Sequence, residues 1–298
     1  MTRITLAGGI GAVMDALSRI LTGPGIRIRV LITDSYCGQN VYGDAVIEFV
    51  RLDLHDAGSV KAAFQQTDRA CIWTGSHDDF ASVDLSLIDA ARLANVPYLV
   101  NVHDSAAWAD TGHVLQRQQI DLAGRPGDNV FVPGVVTTLV CPSIYMQSIF
   151  ALASAWVPLG LWGGTAGNGR VGLVNRLDVL TATACILRDG PERHGEKIYH
   201  LTGPAAVSLG YVADYLSQSL GHTVKYRHRT GEEQRRIYRS AGVSATSIEQ
   251  ILSMEQSIRL GEAAKVTGDV PALTGRPAGS VIDWIAGHRS IFGINSHP

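Results

Sequence analysis

Cysteine is scarce in this chain, and the net charge is close to zero. Cys37, Cys71, Cys141 and Cys185 are the four cysteines among 298 residues, and no two of them form a CxxC pair. Such wide spacing argues against a zinc site or a disulfide framework and indicates a reducing compartment. The formal net charge of −2 provides no long-range positive field for nucleic acid or an anionic membrane. We therefore expect no metal centre, no nucleic-acid partner and no membrane partner.

Long apolar runs are also missing. The longest apolar stretch, residues 149–164, is too short to cross a bilayer and contains Pro158. The N-terminal segment lacks the pattern of a signal peptide because glycines and Asp15 interrupt its apolar residues. Apolar residues still make up 46% of the chain, which is enough for a large core. The sequence predicts a cytoplasmic globular protein and leaves a homodimer open.

Strand and helix patterns alternate through the first half of the chain. This rhythm is typical of βαβ units, and it predicts a doubly wound parallel sheet with helices on both faces. Ligands of such sheets bind at the carboxyl ends of the strands. The predicted strands are residues 3–7, 26–32, 45–54, 69–75 and 97–103, and the predicted helices include 59–66 and 83–96.

The pattern loosens after about residue 140. We predict a dinucleotide-binding-type domain over residues 1–150 and a mainly substrate-binding α/β lobe over 151–298, with the chain crossing back to the sheet near 170–190. In this lobe, 207–221 has the pattern of an amphipathic helix that ends at glycine. The basic cluster at 225–236 is interpreted as a solvated surface, because two glutamates lie inside it.

A glycine turn follows the first strand. In AGGIGAVM (residues 7–14), Gly8, Gly9 and Gly11 would let the backbone approach a pyrophosphate at the start of a helix. Met14 stands where the third glycine of such a turn is expected, so its side chain must occupy volume that glycine leaves empty. Two interpretations follow: a dinucleotide site weakened by Met14, or a turn that has lost its ligand and filled the space with core.

Several segments together resemble the NmrA-like proteins, which are atypical short-chain dehydrogenase/reductases. The resemblance implies a Rossmann fold with a small C-terminal lobe, an NAD(P)-type cofactor, and a ligand cleft between the two parts. It covers reductases of quinones, ketones or imine-like substrates, and also nucleotide sensors that turn nothing over. The segments that carry it are AGGIGAVM (7–14), VRLDLHD (50–56), VNRLDV (174–179), YHLTGPAAVSLGYVADYLSQSLG (199–221) and IRLGEAAKVTGDVPALTGRPAGSVIDWI (258–285).

The second strand bears on the choice of cofactor. The resemblance places Thr33 where an arginine for the 2′-phosphate is common, and the stretch 31–46 has no lysine or arginine. Asp34 would accept hydrogen bonds from a ribose diol and repel a phosphate, so we predict NAD(H) over NADP(H) if a dinucleotide binds. Asp34 could equally cap a loop. The remaining predicted cofactor-binding residues are Asp53 after the third strand, and Thr74, Gly75 and Ser76 after the fourth.

The Tyr-xxx-Lys acid of ordinary short-chain dehydrogenases is absent, since no tyrosine is followed four residues later by lysine. We expect His103, at the end of the fifth strand, to protonate a nascent alkoxide, because histidine titrates near neutral pH. The alternative is that His103 only bonds Asp104 or the backbone. His113 and Arg117 follow on the next helix, where Arg117 could orient a substrate but not donate a proton.

LVCPSIYMQS (139–148) resembles the turn that floors the ligand cleft in this family. Tyr145 is the second candidate proton donor, and Tyr145 and Met146 are expected to line the substrate side. Cys141 replaces the family's arginine and is interpreted as a small buried hydrophobe. Asp178 is expected to cap a helix. The tryptophan-rich stretch 154–162 is interpreted as a lid or as a packed interface.

The resulting hypothesis is an NAD(P)H-type oxidoreductase of secondary metabolism that acts on a small apolar or aromatic carbonyl or quinone. One alternative is a protein that senses NAD(P) without chemistry. Another is an enzyme that needs no hydride, such as an isomerase, cyclase or coupling enzyme on a polyketide-like ring, for which no cofactor would be required. The departures at Met14, Thr33, Cys141 and Asn175 favour this last alternative.

Overall fold

The structure is a computed structural model that describes residues 1–8, 11–32, 47–53, 56–73, 80–103, 132 and 134–292. Its strands are β1 (Thr2–Ala7), β2 (Ile26–Ile32), β3 (Ile47–Arg51), β4 (Arg69–Trp73), β5 (Tyr98–Val102), β6 (Val136–Pro142), β7 (Leu161–Gly164), β8 (Arg170–Val171), β9 (Ile198–Leu201), β10 (Val207–Ser208) and β11 (Lys225–His228). Its α-helices are α1 (Gly11–Leu21), α2 (Ala57–Ala63), α3 (Phe80–Leu93), α4 (Met146–Ala153), α5 (Arg176–Asp189), α6 (Pro191–His194), α7 (Leu209–Leu220), α8 (Gly231–Ser240), α9 (Ala245–Arg259), α10 (Asp269–Thr274) and α11 (Val281–Gly287).

Among the described residues, the main sheet has seven strands in the order β3-β2-β1-β4-β5-β6-β9. The pairs β1–β2, β2–β3, β1–β4, β4–β5 and β5–β6 are all parallel. The strand order reverses its direction between β1 and β4, which is the topological switch point of a doubly wound sheet. The predicted Rossmann-type α/β fold is confirmed, and β2 has the predicted bounds.

Burial explains why these strands pair centrally. All five residues of β5 are buried, and so are four of the five in β4, as expected for strands that are covered on both faces. The edge strand β3 is largely exposed. Helix α1 covers the sheet with one apolar stripe, and its buried residues are Val13, Met14, Leu17, Ser18 and Leu21.

The described residues fall into two compact units. The first takes its residues from Met1–Ser105, Asp110–Cys141 and Leu180–His200, and the second from Pro142–Val179 and Leu201–Pro298. In the first unit, Arg69 donates hydrogen bonds to the carbonyl oxygens of Leu187 and Arg188. These bonds satisfy acceptors at the end of α5 that the helix itself leaves open.

An aromatic cluster forms the core of the second unit. The ring of Phe150 stacks on Trp284 with 4.8 Å between centroids and meets Phe292 edge-on at 5.6 Å. Trp162 is 5% exposed and joins the same core, which favours the packed interpretation of the tryptophan-rich stretch. Met146 is fully buried in this core as well. The expectation that Met146 lines the substrate side is therefore wrong, because the side chain packs inward from the first turn of α4.

Local capping fixes the helices of the second unit. Ser208 precedes α7 and accepts a hydrogen bond from the Tyr211 N–H at 3.1 Å, and Gly221 ends that helix in a left-handed conformation with φ 71°. Among the helices in the described part of the chain, none is long and apolar enough to cross a membrane.

Candidate functional site

The predicted site residues are divided between described and undescribed parts of the chain. Gly8, Gly11, Asp53, His103 and Tyr145 are described. Outside the described residues lie Gly9, Thr33, Asp34, Thr74, Gly75, Ser76, His113 and Arg117.

The first of these residues lies at the switch point. Gly8 directly follows β1, whose neighbours in the sheet are β2 and β4. Its φ of 152° lies in a region that residues with a β-carbon rarely adopt, so this position requires glycine. Gly11 is the first residue of α1, and the first turn of that helix contains no acidic residue. The free N–H groups and positive dipole end of α1 are therefore not offset by a carboxylate of its own.

Met14 lies on the buried face of α1 and is 1% exposed. It is among the largest fully buried side chains of the described residues. The volume that a third glycine would leave open is thus filled by thioether and methyl groups inside the core. This is the packing that a flexible, unbranched side chain allows.

Two further candidates lie at the same edge of the sheet. The carboxyl ends of parallel strands meet at one edge, so Asp53 after β3 and His103 after β5 share that edge with Gly8. The Asp53 N–H donates to Ser59 Oγ at 3.2 Å, and the Asp53 carbonyl accepts from the Asp56 N–H at 3.3 Å. These bonds fix the turn into α2 and leave Asp53 exposed.

His103 extends the β5–β6 ladder by one bond. Its N–H donates to the carbonyl oxygen of Val140 at 2.9 Å, and its side chain is half-buried. This bond holds the backbone of His103 against β6.

Asn101 is a residue that the sequence analysis missed. It lies two positions before His103 and therefore on the same face of β5, where it is 2% exposed. Among the described residues, its Oδ1 has no hydrogen-bond donor. A buried acceptor without a partner costs about 1–3 kcal/mol, so a polar residue at this place is unusual for a purely structural strand. The signal in the sequence was one amide inside the apolar run YLVNV.

Tyr145 belongs to the second unit and precedes α4. The Val174 N–H donates to Ile144 at 3.0 Å, and the Met146 N–H donates to Val174 at 2.9 Å, so the backbone on either side of Tyr145 is fixed. The tyrosine ring is 8% exposed, and the Arg176 guanidinium lies over it at 5.3 Å from the centroid. Such a cation over an aromatic face is attracted to it.

The VNRLDV segment differs from its predicted role. Asn175 Oδ1 accepts from the Leu177 N–H at 3.1 Å and from Gln147 Nε2 at 2.9 Å, so the asparagine caps the start of α5 and ties it to α4. Asp178 lies inside the first turn, and its carboxylate accepts from the Gly279 N–H at 2.7 Å. The expectation that Asp178 caps the helix is therefore wrong, because its partner lies 101 residues further along the chain.

The cysteines near the sheet are buried, as predicted for Cys141, which is 3% exposed. Burial raises the pKa of the Cys71 thiol far above its usual range. Cys71 is therefore a neutral core residue and not a nucleophile. No group of three or more metal-ligating side chains occurs among the residues that the structure describes.

Similar proteins support the fold. No protein-family model matches the sequence. The NAD(P)H azoreductase of Xenophilus azovorans is 25% identical over 97% of this chain and 99% of its own length. Quinone oxidoreductase 2 of Escherichia coli strain K12 is 22% identical over 82% of each chain.

Solved structures agree over nearly the whole chain. The NADPH-dependent quinone oxidoreductase of Escherichia coli, solved with NADPH, has a TM-score of 0.81 at 20% identity, covering 95% of this chain and 99% of its own. The triphenylmethane reductase of Citrobacter sp., solved with NADP(H), has a TM-score of 0.79 at 19% identity, with coverages of 96% and 99%. NmrA, a negative transcriptional regulator solved with NAD, has a TM-score of 0.68 at 15% identity, with coverages of 99% and 98%. The chain therefore shares the Rossmann-type fold of these two reductases and of NmrA.

Proposed function

We propose that this chain is an NAD(P)H-dependent reductase of small aromatic acceptors, such as quinones or azo compounds. The observation that carries the proposal is Gly8 at φ 152° between the central strand β1 and helix α1, at the switch point of the sheet. Two relatives named as an azoreductase and a quinone oxidoreductase support the substrate class. Structural neighbours solved with NADPH, NADP(H) and NAD support the cofactor class.

The described residues fit a dinucleotide. A backbone without a β-carbon at Gly8 permits close approach of a pyrophosphate, and α1 directs its free N–H groups and positive dipole end towards the same edge. No acidic side chain in the first turn of α1 opposes the negative charge. Gly8, Gly9 and Gly11 would therefore hold the pyrophosphate. Asp53, Thr74, Gly75 and Ser76 are the other residues that we propose for this cofactor.

When bound, a reduced nicotinamide supplies a hydride, which carries two electrons to the acceptor. The acceptor then needs one proton to become a hydroquinone or a hydrazo product. We assign this proton to the imidazolium of His103, because its backbone is fixed at the carboxyl edge of the sheet by the bond to Val140. Tyr145, with Arg176 over its ring, is the alternative proton donor. His113 and Arg117 would orient the substrate.

For the choice between cofactors we propose NAD(H) over NADP(H). The stretch 31–46 contains no lysine or arginine to pair with a 2′-phosphate, and Asp34 would repel it. A measured preference for NADPH would reject this part of the proposal without affecting the reductase assignment.

The proposal is tested by following oxidation of NADH and NADPH at 340 nm with menadione and with methyl red as acceptors. We expect turnover with at least one acceptor, and a loss of kcat of about a hundredfold in His103→Asn. His222→Asn is the matched control, because His222 is an exposed histidine of the second unit. Equal rates for His103→Asn and His222→Asn would reject His103 as the proton donor. Absence of turnover with every acceptor and both cofactors would reject the reductase.

A second candidate is a protein that binds NAD(P) without turning it over. The observation in its favour is the buried Met14, which stands where the third glycine of a dinucleotide turn is expected and packs in the core. Binding of NADH without oxidation by any acceptor would select this candidate. Binding of aromatic ligands without any nicotinamide binding would select an enzyme that needs no hydride.

A further inference from the structure

A positively charged hollow lies in the second unit, between the end of β11 and the helices α8 and α9. Its volume is about 230 Å³. Its wall combines cationic, hydroxyl and amide groups with one leucine, and no carboxylate lines it within the described residues. The lining residues are Thr165, His228, Arg229, Thr230, Gly231, Arg235, Leu252, Gln256 and Arg259.

The three arginines of the hollow differ in how their charge is matched. Arg235 is held by both oxygens of Glu249 at 2.7 and 2.8 Å, so its charge is already neutralised. Arg229 donates only to neutral acceptors, the Gly163 carbonyl at 3.3 Å and Gln234 Oε1 at 3.1 Å. The exposed side chain of Arg259 has no hydrogen bond or ion pair to any described residue. Two guanidinium groups, those of Arg229 and Arg259, are therefore without a carboxylate partner at contact distance in the part of the chain that the structure describes.

Two acidic residues near the hollow, Glu233 and Glu255, hydrogen-bond to groups of their own neighbourhood. Glu233 accepts from the Thr230 N–H at 2.7 Å and closes a capping box at the start of α8. Glu255 is 5% exposed and accepts from the Thr165 N–H at 2.6 Å and hydroxyl at 2.8 Å. Neither of these side chains lines the hollow. The side chains that face it carry a net positive charge.

The start of α8 borders the hollow. Gly231 is the first residue of this ten-residue helix and lines the hollow, whereas Glu232 and Glu233 in the first turn offset the positive end of the helix dipole. A β-carbon at Gly231 would lie 3.3 Å from Arg235 Nη1, closer than ordinary van der Waals contact. Glycine here therefore keeps the backbone and the guanidinium close together.

We propose that this hollow binds the phosphate group of a small phosphorylated molecule, at a site separate from the nucleotide-binding edge. Guanidinium groups present planar pairs of N–H donors that match phosphate oxygens, and a dianion gains more than a carboxylate from several cations. A volume of about 230 Å³ exceeds what one phosphate ion fills, which leaves space for an organic part. The basic segment 225–236 is thus a ligand-binding surface, and not only the solvated face that its sequence indicates.

The test is equilibrium dialysis of glycerol 3-phosphate, inorganic phosphate and lactate against the full chain at constant ionic strength. Glycerol 3-phosphate is expected to bind wild type at least threefold more tightly than inorganic phosphate or lactate. Arg259→Gln is expected to weaken this binding at least fivefold, and His228→Gln to weaken it as a second variant. Arg239→Gln is the matched control, because Arg239 is exposed on α8 and does not line the hollow.

Three results would overturn the proposal. If glycerol 3-phosphate does not bind wild type, the proposed site does not exist. Equal weakening by Arg239→Gln and Arg259→Gln would mean that the surface cations attract the phosphate only through their combined electrostatic potential. Lactate or inorganic phosphate binding as tightly as the ester would remove the assignment to a phosphorylated organic molecule. Melting curves of each variant establish that it is folded, and nicotinamide titration of Arg259→Gln separates this site from the proposed reductase function.

Discussion

Replacing Met14 by glycine would restore the glycine pattern of the dinucleotide turn but remove a side chain from the core. Met14, the fourth residue of α1, is 1% exposed, so its loss creates a cavity. Truncation of a buried methionine to alanine costs about 2–5 kcal/mol. Glycine in place of alanine in a helix interior adds about 1 kcal/mol. We therefore predict that Met14→Gly lowers the free energy of unfolding by about 3–6 kcal/mol.

The assay is urea unfolding of wild type, Met14→Gly, Met14→Ala and Ala16→Gly, followed by circular dichroism. Ala16 lies on the same helix and is half-buried, so Ala16→Gly measures the backbone contribution alone, about 1 kcal/mol. Met14→Ala is expected to account for most of the loss in Met14→Gly. If Met14→Gly loses no more than Ala16→Gly, the side chain does not pack in the core.

Three further predictions follow from single residues. Gly8→Ala is expected to lower NADH affinity at least tenfold, because alanine is strained at φ 152°. Gly23→Ala is the control and should leave the affinity unchanged, because open space surrounds Gly23. Equal NADH affinities of the two variants would contradict the role of Gly8. Asn101→Leu is expected to be at least as stable to urea as wild type, because the substitution removes a buried acceptor that has no donor among the described residues. A decrease in the free energy of unfolding of more than about 2 kcal/mol would mean that Asn101 has a partner. Burial raises the pKa of Glu255, so the native state favours the protonated acid, and stability is lost as pH rises through that pKa. Glu255→Gln should reduce this loss of stability in melting curves recorded from pH 4 to 8. An unchanged dependence of melting temperature on pH would assign the loss to another group.

The sequence predicts what local pattern and topology determine. The alternating patterns of the first half define a doubly wound sheet, and β2 at Ile26–Ile32 coincides with its predicted range. The placement of Gly8, Asp53 and His103 at one edge follows from the parallel strand direction alone. These are consequences of chain order and strand direction, and a single sequence contains both.

Contacts between distant segments could not be predicted in this way. Asp178 has the residue type of a helix cap and stands near the start of α5, yet it binds the Gly279 N–H 101 residues away. Met146 follows a turn that resembles a cleft floor, but burial in an aromatic core determines its direction. Asn101 and the hollow near Arg259 depend on which side chains remain without partners after folding. That property belongs to the packed molecule and not to any motif.

The most direct test of the proposed function is titration of the purified wild-type chain with NADH and NADPH, following nicotinamide fluorescence. We predict that NADH binds in the micromolar range and more tightly than NADPH. Binding should be lost in Gly8→Val and retained in Gly23→Ala, since only the first residue lies at the switch point. If neither nucleotide binds wild type at about 1 mM, a range in which working cofactor sites are occupied, the proposed reductase is contradicted.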